Sequence, residues 1–101
     1  MKTYIDKAAE LVAERTQLNN GDLVHLYTLL VLTKGTDISL KDVHDAWAVF
    51  TNFQPKTEWC RGHEHPSIIP FEELTYEEQE KDRKFADILR SVAEELRSSE
   101  N

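Results

Sequence analysis

Leu23-Val24-His25-Leu26-Tyr27-Thr28-Leu29-Leu30-Val31-Leu32-Thr33-Lys34 is the stretch that decides between two kinds of fold. Its Val, Leu and Tyr residues suit a β-strand as well as a helix. Its length and its ending favour the helix, because Lys34 supplies a basic last turn and Gly35 a C-cap. A helix apolar nearly all round is buried on more than one side. It is therefore either the centre of the domain or a helix with one face completing a homodimer through Leu23, Leu26 and Leu30.

Toward the N-terminus, Ile5, Ala8, Ala9, Leu11 and Val12 form one stripe of a helix running roughly from Tyr4 to Gln17. Asn19-Asn20-Gly21-Asp22 stops it, with Gly21 suited to a positive φ and Asn20 or Asp22 able to cap the next helix. Toward the C-terminus, Ser39 and Asp42 have the spacing of a capping box. Leu40, Val43, Ala46, Trp47 and Phe50 follow at helical intervals, and this third helix ends before Asn52-Phe53-Gln54-Pro55. The final helix begins near Thr75, which pairs with Glu78 in the same capping pattern. Phe85, Ile88, Leu89, Val92 and Leu96 give it a buried stripe, and residues 98–101 fray.

Between about Asn52 and Leu74 the periodicity disappears. All three prolines lie there (Pro55, Pro66 and Pro70), together with Trp59, Cys60, Arg61, Gly62, His63 and His65. A loop of this length in a small domain is commonly functional, and its prolines and aromatics predict an ordered strap. The expected fold is all-α, with four principal helices and a long proline-braced strap between the third and fourth. Residues 1–101 form one domain, in which 1–35 make an N-terminal helical pair.

Composition narrows the function classes. Twelve Lys and Arg against nineteen Asp and Glu leave a formal charge of −7, which offers no positive field to a phosphate backbone and argues against nucleic acid. No apolar run is long enough to span a bilayer. Cys60 is the only cysteine, which excludes an internal disulfide framework and fits a reducing, cytoplasmic compartment. The stretch Met1 to Asp6 has no secretory core.

The candidate site residues are Trp59, Arg61, His65, Trp47 and Arg83. Trp59 either staples the strap to the helices or offers an exposed face to a flat ring. Arg61 either clamps an anion with parallel hydrogen bonds or bridges Glu58, Glu64 or Asp45. Trp47 belongs mainly to the core and His65-Pro66 to a turn, while His44 falls at the edge of its helix. Asp82 and Arg83 cannot face each other on a helix, so each pins a different neighbour. The cluster Cys60, His63 and His65 is short of zinc ligands, and Cys60 lacks the orienting partners of a nucleophile. Neither a metal nor a cofactor is expected, and no catalytic residues are assigned.

Four pieces taken together carry a family resemblance. They are Val43-His44-Asp45-Ala46-Trp47-Ala48, Trp59-Cys60-Arg61-Gly62, His65-Pro66-Ser67-Ile68-Ile69-Pro70-Phe71-Glu72-Glu73-Leu74 and Glu80-Lys81-Asp82-Arg83. In this order they resemble the ryanodine-receptor repeat (RyR) domain over about Leu40 to Leu96, and small bacterial and phage proteins of that type. Glu58 and Arg61 depart from the residues usual in that family. The resemblance implies a helical, non-enzymatic module that binds a small nucleotide, and in a phage setting one that sequesters a signal in the host cytoplasm. The pocket would lie between the third helix, the strap and the start of the last helix. The alternative is a protein-interaction or homodimerisation module without a small ligand.

Overall fold

The computed structural model describes residues 2–53 and 68–99. Four helices account for most of them: α1 (Tyr4–Thr16), α2 (Gly21–Lys34), α3 (Leu40–Asn52) and α4 (Tyr76–Ser99). Single 3-10 turns occupy Gly35–Asp37 and Phe71–Glu73, and no strand occurs among the described residues. The stretch Leu23 to Lys34 is thus helical, as its length and its Lys-Gly ending predict.

Local chemistry sets the helix ends. The Thr3 side chain accepts from the Asp6 amide while Asp6 accepts from the Thr3 amide, and Ser39 and Asp42 repeat this exchange at the start of α3. The Asn20 side chain accepts from the amides of Asp22 and Leu23, and the Thr75 hydroxyl accepts from the amide of Glu78 at 3.2 Å. These bonds satisfy amides that have no partner inside their own helix. The left-handed turn after α1 falls on Gln17 (φ 60°) rather than on Gly21, which is the first residue of α2. Gly35 does take a positive φ at the end of α2.

The long α4 organises the molecule. Both α4 and α2 pack against all the other helices, whereas α1 and α3 lie mainly against those two. Val12 of α1, Val24, Tyr27 and Val31 of α2, Val43 of α3 and Leu89 and Val92 of α4 meet in one core. Ile38, between the first 3-10 turn and α3, is 1% exposed, and Arg90 of α4 donates from Nε to its carbonyl at 2.7 Å. Arg15 of α1 binds Ser91 and Glu95 of α4, which ties the first helix to the last.

The packing places the three leucines named for a homodimer face differently. Leu23 belongs to the core, Leu30 packs against it, and Leu26 is half-buried. The apolar residues that α2 turns outward are Leu29 and Leu32, at 55% and 41% exposure. Burial of α2 against three helices uses up the face carrying Leu23 and leaves this other stripe. Most of the expected strap, with Pro55, Trp59, Cys60, Arg61, His63, His65 and Pro66, lies outside the described residues.

Candidate functional site

A cleft of about 360 Å³ opens where α2, α3 and α4 converge. That volume is near the lower end of small-molecule sites, roughly 300–1,000 Å³. Tyr27 of α2, His44 and Trp47 of α3, and Glu78, Lys81, Asp82 and Phe85 of α4 line it, together with Leu74. Helical spacing explains the gathering. Positions 44 and 47 share one face of α3, and 78, 81, 82 and 85 follow the i, i+3, i+4, i+7 pattern on α4. Each set also borders the apolar stripe that holds its helix to the core, so the side chains are fixed by packing.

His44 is the pivot. It lies in the interior at 3% exposure, which corrects its expected place at a helix edge. Nε2 lies 2.7 Å from the Ile69 carbonyl oxygen, and its ring stands 5.8 Å from Trp47 and 6.1 Å from Phe71 between centroids. Gln79 adds a second tie to the same segment, donating from Nε2 to the carbonyl of Phe71 at 3.0 Å. The piece of chain just before α4 is thereby held to both α3 and α4.

Across the cleft, Asp82 Oδ2 faces His44 Nδ1 at 3.9 Å. Desolvation pushes the Asp82 carboxyl above the usual aspartate range, and the negative Glu78 adds to the rise while His44 opposes it. Burial, reinforced by Asp82, also raises Tyr27 above an ordinary tyrosine, so its hydroxyl stays protonated at neutral pH. The Tyr27 and Phe85 rings are 5.9 Å apart between centroids. Lys81 meets Glu78 at 3.3 Å and is largely exposed. Among the described residues, the lining therefore combines aromatic walls with two carboxylates and one lysine.

Of the residues singled out from sequence, Trp47 lines this cleft, half-buried. Arg83 does not: it is exposed, and its Nε donates to Glu80 at 2.7 Å within α4. Asp82 faces His44 of α3 at 3.9 Å, whereas Arg83 is bonded within α4 itself. Trp59, Arg61 and His65 lie outside the described residues. Tyr27, His44, Leu74, Glu78, Lys81, Asp82 and Phe85 line the cleft without having been among the site residues singled out from sequence. The signal for α4 was the regular spacing of 78, 81, 82 and 85, whereas nothing local in α2 marks Tyr27. Among the described residues no group of three His, Cys, Asp or Glu side chains is placed to hold a metal, and no helix is long and apolar enough to cross a membrane.

The family model described as Domain of unknown function (DUF7701) matches residues 3–94. No curated protein and no solved structure matches the chain. The RyR resemblance is corrected by this result, since the matching family is a different one and takes in the N-terminal helices as well. The motif pieces behind it are generic in physical terms. A His and a Trp three apart mark one face of any amphipathic helix, and Pro, Gly and aromatic residues punctuate any loop.

Proposed function

We propose that the chain, which belongs to the DUF7701 family, is a non-catalytic binding module that holds a small, partly aromatic ligand of nucleotide type in the cleft between α2, α3 and α4. One observation carries this reading: aromatic side chains from all three helices and a few buried polar groups line the same opening. Ligand sites combine apolar walls with a small number of converging polar groups in this way. A second cavity of about 340 Å³, beside Val31, Gly35 and Ala93, has no aromatic lining among the described residues, and the titratable ones among them are Lys34 and Arg97. Among the described residues that line the cleft, no serine or cysteine stands beside His44 as a nucleophile.

A thermal-shift screen against mono-, di- and cyclic nucleotides tests the reading. A ligand present at a hundred times its dissociation constant adds about 2.7 kcal/mol of stability, which raises the melting temperature measurably. In a Trp59→Phe background the remaining indole, Trp47, should report the same ligand by a change in fluorescence. A panel that moves neither signal would sink the proposal.

The outward stripe of α2 favours a second reading, association of two copies through Leu29 and Leu32. Sedimentation would then show a dimer that Leu29→Glu with Leu32→Glu converts to a monomer. A monomer at all concentrations would dispose of it.

A further inference from the structure

The inner wall of the cleft carries polar groups for which the described residues supply no hydrogen-bond partner. A carbonyl oxygen only accepts, so the His44 nitrogen 2.7 Å from Ile69 O is the one that donates. When the ring is neutral, this tautomer leaves a lone pair on the second nitrogen, Nδ1. It faces Asp82 Oδ2 at 3.9 Å, too far for a direct hydrogen bond. Tyr27 is 2% exposed, yet its hydroxyl makes no hydrogen bond among the described residues. No fully enclosed side-chain nitrogen or oxygen there lacks a partner. The Tyr27 hydroxyl must therefore open onto accessible space, and the cleft is the space that Tyr27 lines.

Resting on the reading of this cleft as a small-ligand site, we infer that its inner end receives an amino group, whose N–H bonds are accepted by His44 Nδ1 and Asp82 beside the Tyr27 hydroxyl. A donor nitrogen about 2.9 Å from each acceptor fits across such a gap. A ligand hydroxyl has one hydrogen and satisfies only one of the two. A ligand carbonyl or phosphate oxygen sets acceptor against acceptor, with the unmet cost of buried polar groups. The amino group has two chemical sources, the exocyclic amine of a planar base or the ammonium of an aromatic amine. For the ammonium, the rings of Trp47, Tyr27 and Phe85 add cation–π attraction.

Calorimetric titration of the full chain with two matched pairs tests the inference. Adenosine is compared with purine riboside, which lacks only the 6-amino group, and 2-phenylethylamine with 2-phenylethanol. In at least one pair the amino member should bind about tenfold more tightly or better, the scale of one hydrogen bond to a charged group. A preference for adenosine identifies a base amine, and one for phenylethylamine an ammonium. Asp82→Asn and the ring-preserving Tyr27→Phe should each shrink the preference, with thermal melts showing that both variants fold. Equal affinities within both pairs overturn the amino inference and leave the cleft standing as a binding site. Binding of none of the four compounds overturns the amino inference and the adenosine-type ligand class together.

Discussion

Asp82 carries a charge in a place that disfavours charge. Desolvation is the largest cause of its raised carboxyl pKa, with Glu78 adding to it. A raised native pKa means that the folded protein holds the proton more tightly than the unfolded chain does. Stability therefore falls as pH rises from the ordinary aspartate range through the native value, and it stays lower above that. Asp82→Asn should then melt at the same temperature as the wild type or higher at pH 7. The difference should close as pH falls below the ordinary aspartate range. Parallel thermal melts across pH check this, and a variant that melts markedly lower at pH 7 would mean that the carboxylate stabilises the fold. Gln17 and Gly35 show the other residue-scale effect. Gln17 has the conformation that side chains tolerate in a left-handed cap, φ 60° and ψ 25°. Gly35 combines φ 58° with ψ −129°, a region almost closed to other residues. A Cβ there would meet nothing within 4 Å, so the penalty for Gly35→Ala is backbone strain alone. It should cost about 1–3 kcal/mol in denaturant melts, with no change in helix content by circular dichroism.

Helix ends carry the next scale. Each helix here starts on a side-chain acceptor, and α1 and α3 start on reciprocal boxes. Ser39 matters more than Thr3, because its box is part-buried and the adjoining Ile38 lies in the core. Ser39→Ala should cost about 1 kcal/mol, read from urea denaturation, and Ser39→Asp should recover most of the loss. The caps are also the features most legible in the sequence. Ser39 with Asp42, Asn20 and Thr75 can be read from local spacing, because a capping bond spans three residues and needs no tertiary partner. Local spacing failed at Gly21. A glycine near a helix end suggests a left-handed turn, yet Gln17 had already made it and Asn20 had begun the next helix.

Over the whole molecule, stability rests on a narrow seam between α2 and α4 closed on both sides by α1 and α3. Leu89 sits in that seam with no exposed surface. Leu89→Ala should destabilise by about 2–5 kcal/mol, enough to consume much of the 5–15 kcal/mol typical of a domain. A loss below 1 kcal/mol would mean that the seam relaxes around the cavity. The cleft belongs to this scale as well, since it needs α2, α3 and α4 together. Loosening the core by Leu89→Ala should therefore weaken the proposed binding in the cleft even though Leu89 is not among its lining residues.

The helical class, the element order and most of the caps follow from sequence alone, because hydrophobic period and capping chemistry act within one or two helical turns. Which face of α2 is used was decided by tertiary packing: a helix apolar nearly all round has no local asymmetry to say that Leu23 turns inward and Leu29 outward. The same holds for His44, which looks like an edge residue in isolation and becomes a buried one once Ile69 supplies a carbonyl to its Nε2. The meeting of Tyr27, His44 and Asp82 joins residues up to 55 positions apart. No local spacing encodes such a juxtaposition; it exists only after burial of the core has fixed the rotation of three helices against one another.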